Sequence, residues 1–220
     1  MQTRYALLCA LFGALSAGCY PGQIETAAQT DLVATFHKKD ADFKANKTFA
    51  MPDSIVDIGV AAGAGSSFNH AHDAEILAKV AGEFVALGYT RVDLVNPPTV
   101  KPDAVVLVSA VSVDNYDIWY SYPWYPYWGW WYGWDGYWPY GASSSWYYPW
   151  SPVTVTGYTT GSVFIQLVDP DVPPPESGQA TSIWAAAING LVTGTDQQIG
   201  ARINNNITQA FSQSPYLDTH

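Results

Sequence analysis

The apolar positions of this chain recur with two periods. Leu32-Val33-Ala34-Thr35-Phe36 reads as a strand, followed by a charged turn over 38–43. Residues 47–51 read as a second strand, stopped by Pro52-Asp53. From 70 to 87 the period changes: Ile76, Val80, Phe84 and Leu87 share one helical face, Asn69 suits the N-cap and Gly88 a left-handed exit. Residues 89–95 predict a strand, 96–102 a Pro-rich turn, and 103–113 a further strand. The first half of that last strand is continuously apolar and the second alternates with Ser, as when a strand passes from a covered to a half-exposed position. Residues 153–158, 161–169 and 180–191 repeat the strand signal, with Asp169-Pro170-Asp171 and Pro173-Pro174-Pro175-Glu176 forming a rigid turn. Finally, Thr195 and Gln198 have capping-box spacing, and Ile199, Ile203, Ile207 and Phe211 make one apolar stripe ended by Pro215.

The order β, β, α, β, β, insertion, β, β, α predicts an α+β fold: a largely antiparallel β-sheet with two helices on one face. Strands 103–113 and 161–169 are expected as antiparallel neighbours. The long stretch between them, 116–150 above all, then becomes an overgrown, aromatic-rich hairpin insertion, and loops of that length are often functional. With 220 residues the chain has room for one generous core. The expected organisation is a signal peptide over 1–18, a polar tether over 19–30 and a single domain over 31–216.

Composition changes the picture most at the insertion. Nine of the ten tryptophans and ten of the fifteen tyrosines fall within 116–150, where Ile118 is the only branched aliphatic and Asp117 and Asp135 are the only charges. At roughly 150 to 250 Å² per ring, these side chains hold about 3,000 to 4,500 Å² of surface. Leaving all of it wet would cost at most about 70 to 110 kcal/mol, so the stretch must lie against something. Trp119, Tyr120, Trp124, Trp128, Trp130, Trp131 and Trp134 are the candidate binding residues. Such rings stack on sugars, fill partner pockets or settle at a bilayer interface. The bland counterpart is self-packing over an exposed sheet face.

Charge excludes one class of partner. The formal net charge is -10, and from Cys19 onward 8 basic face 19 acidic side chains. Such a surface repels phosphate backbones, so no nucleic-acid partner is expected. At the start, Arg4 precedes an apolar run over 5–15 and the small residues Ser16-Ala17-Gly18 before Cys19. That is an export signal, too short for a membrane span. A cysteine directly after Ala-Gly resembles the lipobox of bacterial lipoproteins, which implies acylation of Cys19 and cleavage before it; the alternative is a plain secretory signal. Cys9 leaves with the signal, so Cys19 is the lone thiol of the mature chain and no intramolecular disulfide can form. Several acyl chains make an effectively permanent anchor. Tyr20 follows Cys19 in place of an inner-membrane Asp signal, and by analogy with bacterial lipoproteins the outer membrane, facing the periplasm, is the expected address.

Other chemistry is sparse. The glycines of 59–67 lack a following Gly-Lys-Ser/Thr and the G-x-G-x-x-G spacing, so they do not describe a phosphate loop. His70-Ala71-His72-Asp73 invites a metal, yet side chains two apart point in different directions and Asp73 suits a helix start on its own account. No metal site and no cofactor are expected, and the Asp169-Pro170-Asp171 turn offers too few oxygens for calcium. No G-x-S-x-G elbow is present and no thiol remains for catalysis, which disfavours an enzyme and leaves no catalytic residues to name.

Cys19, the strand from Asp31, Asp42-Phe43 with Lys47-Thr48-Phe49-Ala50, Leu87-Gly88-Tyr89, Pro102-Asp103-Ala104-Val105-Val106, Gly161 to Asp169, Ile183-Trp184 and the closing helix occur in an order that resembles the bacterial lipoproteins grouped as domain of unknown function 4136. The resemblance covers 31–216. It implies Trp- and Tyr-rich loops at this position, no known enzyme activity and no established ligand. Ala185-Ala186 stand after Trp184 where many members have Arg-Gly. The resulting expectation is a non-enzymatic lipoprotein of the bacterial cell envelope that binds or assembles through its aromatic loop. Its partners would be the membrane, through the N-terminal lipid, and an envelope protein or glycan. The alternatives are a purely structural, membrane-apposed lipoprotein and a glycan- or peptidoglycan-binding protein.

Overall fold

The computed structural model describes residues 32–58, 68–93, 101–111, 145–147, 161–173 and 179–220, with backbone alone at 145–147 and 179–180. Asn69 caps a 3-10 turn, His70–His72, its side chain accepting from the Ala71 N–H at 3.1 Å, and helix α1, Asp73–Ala86, starts only after that turn, with Asp73 and Glu75 in its first turn. Acids there suit the positive end of the helix. Gly88 ends it at φ +92°, where a Cβ would come within 2.6 Å of Thr219 Oγ1. Helix α2, Asp196–Ser212, has the capping box expected of Thr195 and Gln198. Each helix buries the stripe its period predicts: Ile76, Leu77, Val80, Ala81 and Phe84 on α1, and Ile199, Ile203, Ile207, Ala210 and Phe211 on α2.

The strands are β1 Val33–His37, β2 Thr48–Ala50, β3 Val56–Ile58, β4 Thr90–Arg91, β5 Ala104–Val111, β6 Ser145–Tyr147, β7 Ser162–Val168 and β8 Gln179–Ile188. Their order is β1-β8-β7-β5-β2-β4, with β3 also on β5 and β6 on β8. Strands β5 and β7 are antiparallel from Val105↔Val168 to Val111↔Ser162, as the sequence predicts. The β1–β8 and β7–β8 pairs are antiparallel as well.

The sheet as a whole is mixed, which corrects the expectation of a largely antiparallel one. Strand β2 runs parallel to both β4 and β5, and β3 runs parallel to β5. The reason is connectivity: α1 lies between β2 and β4 and serves as the crossover that a parallel pair requires. Asp103 fixes the arrangement. Its Oδ2 accepts from the Lys47 and Thr48 N–H groups, both at 2.8 Å, and from Thr48 Oγ1 at 2.9 Å, pinning the start of β2 to the start of β5. Strand β3 is an element the sequence pattern did not reveal. It continues along the same edge of β5 after the Pro52-Asp53 interruption, with Val56 opposite Ser109 and Ile58 opposite Val111. The strand expected over 89–95 shrinks to Thr90–Arg91 in the described residues. The expected strand over 153–158, the loop 59–67 and most of the aromatic insertion lie outside them.

Both helices pack on one face. There Val106, Val108, Ile165, Leu167, Trp184, Ala186 and Ile188 join the helical stripes in one apolar cluster. Trp184 sits at its centre, 5.3 Å from Phe211 and 6.0 Å from Phe84 between ring centres, and its indole N–H donates to Ser214 Oγ at 2.9 Å. That bond satisfies a donor which would otherwise be costly in a dry core. The alternate positions of the central strands are buried too: Val105, Leu107, Ser109, Phe164, Gln166, Ala185 and Ala187 are at most 4% exposed.

Candidate functional site

The predicted binding residues Trp119, Tyr120, Trp124, Trp128, Trp130, Trp131 and Trp134 lie outside the described residues, as does Cys19. What the structure places is their root. One row crosses the sheet from Val33 through Ile188, Val163 and Ala110 to Asp57. At that end β5 finishes with Val111 and β7 begins at Ser162, so the insertion leaves and rejoins the sheet there. Leu32, where the expected tether reaches the domain, lies at the same end.

The root is braced from one side by the turn between β8 and α2. Gly161 donates its N–H to Val111 O at 3.1 Å and accepts from Val192 N–H at 2.9 Å. Its φ of +92° and the 2.9 Å gap between a notional Cβ and Thr193 Cγ2 restrict this position to glycine. Ser162 Oγ donates to Asn189 Oδ1 at 2.8 Å and accepts from the Gly190 N–H at 3.0 Å. Arg202, buried on α2, donates to Thr193 O and, at 2.6 Å, to Thr193 Oγ1. Ser162, Asn189 and Arg202 were not legible as site residues, because they come from three separate elements and match no motif.

On the other side stand the two histidines considered for a metal. His70 lies between two carboxylates, with Nδ1 2.8 Å from Asp73 Oδ2 and Nε2 3.1 Å from Asp57 Oδ2. Burial draws its pKa down, but the hydrogen bonds and charges of Asp73 and Asp57 outweigh that and hold it above the ordinary histidine value. The result ties β3 to the start of α1. His72 lies 3.5 Å from Glu75 and 3.6 Å from Asp196, between the starts of the two helices. Among the described residues no group of three or more His, Cys, Asp or Glu is placed to hold a metal ion.

The opposite end of the sheet has different chemistry. Lys101 pairs with Asp171 at 2.5 Å and Arg91 with Asp53 at 2.8 Å, and Lys38 pairs with Asp40. Asp169 is half-buried there, and burial raises its carboxyl pKa against the lowering effect of the Asp171 N–H and Asn46 Nδ2 donors. Among the described residues no helix is long and apolar enough to cross a membrane.

A mixed sheet with both long helices on one face and a large excursion between its two central antiparallel strands defines the class: an α+β domain whose distinctive residues sit in an insertion. The family model for the Domain of unknown function (DUF4136) matches residues 33–216. The chain belongs to that family. Among solved structures, it is similar to a DUF4136 family protein from Bacteroides thetaiotaomicron at 26% identity and a TM-score of 0.58, over 86% of this chain and 98% of that one. The PelC dodecamer from Paraburkholderia phytofirmans aligns at 12% identity and a TM-score of 0.40, over 86% of this chain and 99% of that one. No curated protein matches the chain.

Proposed function

We propose that this protein is a non-enzymatic lipoprotein of the bacterial envelope that acts as a binding or assembly module. In this proposal acylated Cys19 holds it to the outer membrane on the periplasmic side, and the Trp/Tyr-rich stretch 116–150 makes the contact. The observation that carries the proposal is the shared end of the sheet. Through the row Val33, Ile188, Val163 and Ala110, the point where the tether meets the sheet lies beside both roots of the aromatic insertion. A twelve-residue tether over 19–30 reaches at most about 40 Å when fully extended. An anchor at Cys19 therefore keeps those roots close to the bilayer, in reach of lipid headgroups and of glycans or proteins at the membrane surface.

Tryptophan emission of the lipidated protein tests this. Trp184 is buried in the core, so a blue shift on adding an envelope component reports on the insertion. A shift with glycan or peptidoglycan fragments and not with liposomes identifies sugar binding; the reverse identifies a membrane-apposed structural role. No shift with either, together with no partner retained from native envelope, removes the binding role. Separately, labelled palmitate should enter the wild-type chain and not C19S, and equal labelling of the two would remove the anchor.

A further inference from the structure

The sheet path ends in β1 on one side and β4 on the other, and the two edges are built differently. Strand β4 is two residues long, and its Arg91 donates to Met51 O at 3.3 Å and to Asp53 Oδ1 at 2.8 Å. A short, charged edge of that kind discourages a further strand. Strand β1 has none of these devices: five residues, no proline, no acid, lysine or arginine, and an unbroken register with β8. Lys38, the first charge beyond it, is paired with Asp40. The bonds to β8 use alternate residues, since Leu32 O accepts from Asn189 N–H and Lys38 N–H donates to Ile183 O, both at 2.9 Å. By that alternation the N–H and C=O groups of Val33, Thr35 and His37 point away from the sheet. Among the described residues only β8 pairs with β1, and no loop or turn backbone meets those outward groups.

We infer that β1 is a pairing edge for a second copy of this chain, the two first strands lying antiparallel about a two-fold axis at Thr35. The edge is complementary to itself. Centred on Thr35, the pairing sets Thr35 opposite Thr35 and Val33 opposite His37 on both sides. Each of these is a pair that exchanges two bonds, so about six hydrogen bonds close the seam, and a threonine pair suits a cross-strand position. A continuous sheet then runs through both copies.

The helix above the seam supplies a second, separate observation. Helix α2 packs on β8 and β1, and its inner neighbour is α1, as the 2.7 Å bond from Thr208 Oγ1 to Glu83 Oε1 shows. By helical period the flank away from α1 carries Gln198, Asn205 and Gln209, all exposed. After Asp196 the helix holds a single charge, Arg202, which is buried and donates to Thr193. From Cys19 onward the chain has 8 basic and 19 acidic side chains, so two copies repel across most of their surface. They can meet where charge is absent. Amides both donate and accept, so this flank can bond to its own counterpart, whereas a basic partner would find no acid on it.

Area sets the strength. Seventeen residues make α2 about 25 Å long, and one sheet layer with one helix layer is about 20 Å deep. Each copy then contributes about 500 Å², and the total near 1,000 Å² stands at the lower limit of specific interfaces. The dimer is therefore reversible. Anchoring both copies in one membrane would favour it by raising their effective concentration, but the pairing does not depend on the anchor or on the binding role.

The test uses the full chain with Cys9 and Cys19 replaced by Ser, in mild detergent. Sedimentation equilibrium should show monomer and dimer exchanging at about 1 to 100 µM. T35P removes an outward donor and breaks no bond to β8, and N205E puts like charges near the axis from an exposed helix position. Each should weaken the dimer at least tenfold while leaving the circular dichroism of the monomer unchanged. A thiol at T35C should be joined to its counterpart by a bis-maleimide short enough for the about 5.5 Å between paired Cα atoms, and T90C on the opposite edge should not. A chain that stays monomeric throughout that range overturns the inference. So does a dimer indifferent to N205E, or one joined through T90C, and so do T35C crosslinks formed only within one chain, which would assign the edge to a segment of its own. If T35P and T35C fail to fold, N205E and a self-crosslink at N205C decide alone. An insertion that binds no envelope component would remove the binding role and leave this equilibrium unchanged.

Discussion

On one face of the sheet Val106, Val108, Ile165, Leu167 and Trp184 meet two helices; on the other, Ala185, Ala187, Ser109 and Gln166 are equally buried with smaller or more polar side chains. Helices approach a sheet as cylinders and leave gaps that large aliphatic and aromatic side chains must fill from below. Val105, Leu107, Val111 and Phe164 keep the second face apolar, but Ser109, Gln166, Ala185 and Ala187 stand among them, so it carries less bulk and more polar atoms than the helix side.

The sharpest break on the helix side is Trp184→Ala. It removes the ring that packs against both Phe84 and Phe211 and the indole N–H that donates to Ser214 Oγ. The expected loss is about 3 to 5 kcal/mol in chemical denaturation. Leu107→Ala makes the matching cut on the other face. If that face is as dry as its 1% exposure implies, the loss is about 2 to 4 kcal/mol; a loss of only a few tenths, as on an open surface, would show that the two faces differ in burial as well as in side-chain size.

Smaller effects sharpen the helix side further. Thr195→Ala removes the acceptor of the Gln198 N–H and half of the capping box. About 1 kcal/mol should disappear, with faster amide exchange confined to the first turn of α2. The smallest change is the pH response of His70. Its folded-state pKa lies above the unfolded value near 6.5, so its contribution is fully present below pH 6.5 and is lost as pH rises through the folded pKa. The side chain is 38% exposed, so screening holds the effect under about 1 kcal/mol. Stability measured from pH 5.5 to 8.5 should therefore decline slightly in the wild type. His70→Gln should flatten that decline, and an unchanged slope would assign the dependence to another group.

Both helices could be read from the sequence because their signals are local: a stripe at helical spacing in each, Gly88 after the last turn of α1, and the Thr195 capping box before α2. The β5–β7 pairing was legible for a similar reason, since two long apolar strands bracket one insertion. Strand direction along the β2 edge was not. It depends on α1 acting as a crossover and on Asp103 reaching Thr48 across the fold, and neither shows in a hydrophobic pattern. Strand β3 escaped because three residues behind a proline carry no period. At the site, composition alone marked the aromatic insertion. The brace at its root, Gly161 with Ser162, Asn189 and Arg202, exists only once the turn after β8 has folded back on β7.

The pairing of Val33 with Ile188 sets an order of events. A chain that emerges from its N-terminus onward cannot complete this sheet until almost all of it is available, because the neighbour of the first strand is the last. Contacts this distant in sequence slow folding. Until they form, the edge of the first strand stays open, its backbone groups waiting for a partner more than 140 residues further along.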